Sequence, residues 1–314
     1  MERTRSPRPL FAVVAAAGLV GTAVLSACGP RAGASPQDAS EPHAIAGGAF
    51  EASGVAYVPS SNTVLFVDDG RTREIFLMEL TAQGTQAGKA IPVTLGADIT
   101  DMEGITHDGQ HFYVVGSQSK RSGVEGDGIV RFTFNPGTRR VEQVQRIQGL
   151  KAWLAEHVAE LRGTANKLGD EVLNIEALAW DPINRRLLLG LRAPVVDGQS
   201  LIIAIKQADS TRSFTRENLR MDGPTIRLAL GGAGIRGMEY DSETKSFRIL
   251  TGAALNDENQ DFRLMEWNGQ PGGAVKETAS YSRRLKPEGI TRAAIDGRPV
   301  SVLVFDVGRF LVAD

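Results

Sequence analysis

One position in this chain is filled repeatedly by an ionisable side chain set in the same short phrase. Glu103, Glu176, Arg236 and Glu288 stand in Asp101-Met-Glu-Gly-Ile-Thr106, Asn174-Ile-Glu-Ala-Leu-Ala-Trp180, Gly234-Ile-Arg-Gly-Met-Glu-Tyr240 and Pro287-Glu-Gly-Ile-Thr291. A looser copy reads Glu51-Ala-Ser-Gly-Val-Ala-Tyr57. Matching Tyr57 to Trp180 puts Ser53 at the repeated position, with Glu51 on the same strand face two residues earlier.

Carboxylates gathered within a few ångströms repel unless they share protons or hold a cation. Calcium takes oxygen ligands of this kind, and Glu51, Asp101 and Glu103 form the candidate set. A second ring is expected where the next strands end, at Asp69, Gln118, Arg192, Gly252 and Asp306, with Asp68, Ser117 and Arg121 nearby. Guanidiniums hold carboxylates or phosphates through paired hydrogen bonds, so Arg192, Arg236 and Arg121, with Asp69 and Asp306, are the candidate ligand-binding residues. Glu103, Glu176 and Glu288 are the candidate catalytic carboxylates, for a reaction in which a cation acts as Lewis acid and a carboxylate as base. The alternative is a structural hub in which the same charges neutralise one another.

Other chemistries have less support. There is no Gly-x-Ser-x-Gly elbow, and the four histidines fall in a tether, a hairpin and a helix, without triad or zinc spacing. A net charge of −2 removes the electrostatic footprint of a nucleic-acid binder.

The elements that must position these residues are short strands. Each phrase is followed, after a turn, by an apolar run, at residues 64–67, 112–115, 187–189, 247–250 and 302–305. Further strands are expected over 75–78, 129–132, 201–205, 225–228 and 262–265. Strand pairs recurring at intervals of roughly fifty to seventy residues predict an all-β, single β-propeller of five blades, or six if the stretch 150–175 hides a degenerate one. The repeated position then borders the axis. Leu150, Trp153, Leu154, Val158 and Leu161 have helical spacing and predict one inserted helix near 150–162, either a packing helix or a lid. The last unit is short of strands, and the stretch 44–50 is the natural donor to complete it.

The N-terminus reads as an address. Arg3, Arg5 and Arg8 precede an apolar stretch that closes in Leu25-Ser-Ala-Cys28, the form of a bacterial lipobox, which makes 1–28 a lipoprotein signal peptide and Cys28 the lipidated residue. Residues 29–43, rich in Pro, Ala, Ser and Gly, are expected to be a flexible tether, and 44–314 the propeller. Cys28 is the only cysteine, so the domain contains no disulfide. Gly29 after the cysteine points to the periplasmic face of the outer membrane in a host with two membranes.

The phrases Val67-Asp-Asp69, Asp101-Met-Glu-Gly104, Val115-Gly-Ser117, Asn174-Ile-Glu176, Leu189-Gly-Leu-Arg-Ala-Pro194 and Gly234-Ile-Arg236 resemble the signature blocks of the bacterial family of unknown function DUF3616. That resemblance implies a propeller-like fold and no established activity. More distantly, the Glu-Gly-Ile phrase is similar to the esterase-like phytase domain and calcium-dependent lactonase propellers. Where the family pattern has Ser-His-Ser, this chain has Ser117-Gln118-Ser119, a departure that bears on activity if the histidine acts in relatives. The expected function is therefore a lipid-anchored envelope propeller whose channel binds a small anionic ligand, through calcium, and hydrolyses a phosphate ester or lactone. The competing expectation is a non-enzymatic scaffold that binds an envelope protein.

Overall fold

The computed structural model describes residues 41–119, 127–255 and 260–314. Cys28 and Arg121 lie outside the described residues. The compact unit that begins at Asp38 holds five antiparallel sheets.

Blade 1 runs β2 (Ala52–Val58), β3 (Thr63–Asp68), β4 (Glu74–Glu79) and β5 (Ile91–Thr94), after a two-residue β1 (His43–Ala44). Blade 2 runs β6 (Met102–His107), β7 (Phe112–Gly116), β8 (Ile129–Asn135) and β9 (Arg140–Ile147). Blade 3 has β10 (Asn174–Asp181), β11 (Arg186–Ala193) and β12 (Ser200–Gln207), and both β13 (Leu219–Met221) and β14 (Ile226–Leu228) pair with β12. Blade 4 runs β15 (Gly234–Asp241), β16 (Ser246–Gly252), β17 (Phe262–Trp267) and β18 (Val275–Tyr281). Blade 5 takes β19 (Pro287–Ile295), β20 (Arg298–Phe305) and β21 (Arg309–Ala313) from the C-terminus and β1 from the N-terminus.

The protein is thus an all-β, five-bladed propeller, and the stretch 150–175 contributes no sixth blade. Closure is by β1 on the outer edge of β21, with His43 opposite Phe310 and Ala44 opposite Arg309. His43 belongs to this strand although the sequence places it at the end of the tether. Pairing both termini in one sheet removes an edge that would otherwise be open. Apolar clusters fill the spaces between blades, such as Phe66, Phe76, Val302 and Val304 between blades 1 and 5.

The expected helix is α1 (Leu150–His157), followed by a 3₁₀ turn over Ala159–Leu161. Leu150, Trp153, Leu154, Val158 and Leu161 are all buried in the cluster shared by blades 2 and 3. Its apolar stripe is spent on that core, so α1 is a packing helix. Among the described residues no helix is long and apolar enough to cross a membrane.

The five inner strands, β2, β6, β10, β15 and β19, touch one another in a ring around the axis. Each carries an irregularity in its pairing near its start, at Ser53, Glu103, Glu176, Arg236 and Glu288. A β-bulge leaves one residue unpaired and re-aims its side chain, so the repeated sequence position is the bulge itself. The small residue that follows has its own cause. A Cβ on Gly237 would lie 2.5 Å from the Glu288 carbonyl oxygen, and one on Gly54 2.7 Å from that of Glu103. Neighbouring inner strands converge too closely at the axis for a larger residue, and the Glu-Gly-Ile phrase records that approach.

Candidate functional site at the upper mouth of the channel

The mouth where the inner strands enter, termed upper here, opens into a cavity of about 600 Å³. Glu51, Ser53, Asp69, Glu103, Glu176, Arg192, Arg236, Glu288 and Asp306 all line it. These side chains meet around one opening and divide into two unlike sides.

On the side of blades 3 to 5 the charges are paired. Glu176 is almost fully buried and accepts from Arg192 Nη1 at 2.9 Å, from Asn174 Nδ2 at 3.1 Å and from Arg236 Nη1 at 2.5 Å. Arg236 also reaches Glu288 at 3.3 Å, and its guanidinium lies over the Phe262 ring. Burial lowers the Arg236 pKa, but the charges of Glu176, Glu288 and Glu103 outweigh it and raise the pKa further above the ordinary arginine value, so the cation is permanent. Burial still outweighs Arg236 at Glu288 and pushes that carboxyl up to about 8. Lys286 and Asp306 pair at 2.6 Å on the rim.

On the side of blades 1 and 2 the acids face one another. Asp69, Asp101 and Glu103 each place a carboxylate oxygen within 4.8 Å of the others. Among the described residues Glu103 makes no ion pair. Burial, together with the charges of Glu176, Asp101 and Glu288, pushes its pKa well above the usual carboxylate range. Asp69 is raised to about 7 by burial and by Glu51, and its Oδ1 is buried without a hydrogen-bond partner. Asp101 is held from behind by the Ser117 hydroxyl and sits in the left-handed region, φ 57°. Oxygen donors at this spacing are the kind a hard cation takes.

Two expectations need correction in detail. Asp69, rather than Glu51, completes the acidic trio. The bulge aims Ser53 inward, where its hydroxyl donates to the Met102 carbonyl at 2.5 Å, while Glu51 stays more exposed against Asp69. Gln118 is not in the second ring: its backbone turns left-handed, φ 61°, and its amide donates to the carbonyls of Gly116 and Gly128 at 2.8 and 3.2 Å. Asp68 ends β3, and its two carboxylate oxygens accept from the Glu51 and Gly70 amides.

The sequence reading passed over Arg283 and Arg284, which line the cavity beside Lys286. The available signal was the run Arg283-Arg284-Leu-Lys286 immediately ahead of the inner strand that bears Glu288. With Arg192 and Arg236 these residues give the cavity a cationic wall facing the acidic trio.

Fold and site together define a class: a five-bladed propeller with an ionisable, ligand-sized channel mouth. Residues 140–293 match the family described as protein of unknown function (DUF3616), which bears out the resemblance read from the sequence. Among curated proteins there is no match. Solved structures similar to the chain include hydrazine synthase of Kuenenia stuttgartiensis (12% identity, TM-score 0.40, 80% of this chain and 61% of that one). The pyranose dehydrogenase PQQ domain of Coprinopsis cinerea gives 10% identity and TM-score 0.47 over 86% of this chain and 94% of that one. The soluble aldose sugar dehydrogenase of Escherichia coli gives 9% and 0.45 over 87% and 98%.

Proposed function

We propose that the upper cavity binds a small anionic ligand through a divalent cation, calcium being the best fit. The observation that carries this reading is the acidic trio, with its buried and unpartnered Asp69 Oδ1, two members of which, Asp69 and Glu103, line one cavity with Arg192, Arg236, Arg283, Arg284 and Lys286. Asp69, Asp101 and Glu103 would hold the cation, and the opposite wall would take the carboxylate or phosphate of the ligand. Glu288, which keeps its proton towards pH 8, is the group placed to move a proton there, which suits hydrolysis of a phosphate ester or lactone. Glu176 is fully engaged by two arginines and Asn174 and serves to position Arg192 and Arg236.

The test is calorimetry of the full chain with calcium chloride alone, on wild type and Glu103→Gln. One-site binding in wild type, lost in a variant that retains its fold, is the expected result. No binding in wild type would sink this reading and leave the non-enzymatic scaffold for an envelope protein.

The same proposal places the protein at the cell envelope, exported by residues 1–28 and anchored by lipid on Cys28, since Leu25-Ser-Ala-Cys28 has lipobox form. Metabolic labelling with an alkyne-bearing palmitate should mark the wild type and not Cys28→Ala. Equal labelling of both would remove the anchor.

A further inference from the structure

The channel has a second mouth, where the inner strands end, and it opens into a separate cavity of about 600 Å³ reached by all five blades. Four residues after each bulge stands a planar side chain: Tyr57, His107, Trp180, Tyr240 and Arg292, every one of which lines this cavity. None of them belongs to the upper site. Tyr57 is fixed by its hydroxyl, which donates to the Ala294 carbonyl at 3.1 Å, and Trp180 is stacked on Tyr113. The His107 Nδ1 accepts from the Gly109 amide at 3.2 Å, and burial lowers its pKa, so the ring is neutral near pH 7.

The residues one step earlier stitch the blades together. The Thr106 hydroxyl accepts from the Trp180 amide at 3.1 Å, and the Thr291 hydroxyl accepts from the Tyr57 amide at 3.1 Å. In blade 4 the same place holds Glu239, which accepts from the Arg292 amide and from the Thr291 hydroxyl at 3.4 Å. A threonine performs this stitch in blades 2 and 5 without any charge, so the carboxylate is more than the stitch requires.

Among the described residues Glu239 also makes no ion pair. The nearby cations are committed elsewhere: Arg248 to Asp241 at 2.8 Å, and Arg292 to Asp241 and Glu243 at 3.4 and 2.5 Å. Asp108 is spent on the Gln110 and His111 amides and the Tyr113 hydroxyl. Burial accordingly pushes Glu239 up to about 8.

We propose that the lower mouth is a binding site for a small organic ammonium ion, seated against Trp180 and Tyr240 with its charge directed at Glu239. Aromatic faces attract such cations through the ring quadrupole, and Glu239 lines the same cavity as Trp180 and Tyr240. Binding favours the ionised carboxylate, so uptake below pH 8 releases a proton and affinity rises as the pH rises through that range.

The test is calorimetric titration of the full chain with choline chloride at pH 6.5 and 8.5, repeated in two buffers of different ionisation enthalpy. Saturable one-site binding, about tenfold tighter at the higher pH and accompanied by proton release, is the expected result. Glu239→Thr reproduces the hydroxyl stitch of the other blades. It should weaken binding about tenfold and abolish its pH dependence, and Trp180→Leu should weaken it at both pH values. Absence of saturation in wild type overturns the site, as does unchanged binding in folded Glu239→Thr. Loss of choline binding in Glu103→Gln with Glu239→Thr unaffected would put the cation at the other mouth and equally overturn it.

Discussion

The two sides of the upper mouth are built from one repeated position and end in opposite electrostatic states. In blades 3 to 5 the bulge residues Glu176, Arg236 and Glu288 alternate in sign and close on one another. In blades 1 and 2 the bulge offers Ser53 and Glu103, and the flanking loops add Asp69 and Asp101, so acid meets acid. The backbone device is the same in both places. The neighbouring blade decides whether a buried charge is neutralised or left to take a proton or a cation. A paired cluster of this kind rigidifies, whereas an unpaired one has free energy to give to a ligand.

The comparison is broken most directly at Arg236. Replacing it by methionine in Arg236→Met leaves Glu176 with Arg192 alone and takes from Glu288 its ion-pair partner, and should cost about 3 kcal/mol of stability, as for other buried pairs deprived of one partner. Denaturant titration reads this as a lower midpoint. Glu103→Gln removes an acid that has no cation partner, so in the absence of metal it should cost nothing or stabilise slightly. Were the two substitutions to cost the same, the distinction between the two sides would disappear.

A smaller effect sharpens the picture through pH. Glu288 in the fold keeps its proton to about pH 8, while the unfolded chain releases it near the ordinary glutamate value. The folded state therefore binds more protons between those limits. This contribution to stability is complete at low pH and is lost as pH rises towards 8. Glu239, at about 8, acts in the same direction. The melting temperature of the wild type should fall between pH 6 and 8.5, and Glu288→Gln should fall by less. A slope unchanged by that substitution would show that Arg236 already holds Glu288 ionised.

Much of this was legible in the sequence because a propeller repeats its chemistry with its strands. The spacing of Glu103, Glu176, Arg236 and Glu288 gave the number of blades and the ring around the axis. The unfinished last unit gave the closing role of the N-terminal stretch, and the stripe from Leu150 to Leu161 gave the helix. The exchange of Glu51 for Asp69 was not legible. Only the bulge reverses which of two residues on one strand face looks inward, and a bulge is defined by the partner strand. Gln118 was misplaced because a single left-handed residue turns the chain back on itself.

The sequence by itself determined the all-β repeat, the small residues that let inner strands converge, and the inventory of charged groups at the axis, since these follow from local pattern and from steric limits within each unit. Tertiary structure alone decided which charges meet. Glu176 and Arg236 are sixty residues apart in sequence yet 2.5 Å apart in space, while Glu103 and Glu239, drawn from the same repeats, make no ion pair among the described residues. Pairing energies depend on distances across blade boundaries and on burial, and neither is written in any single repeat.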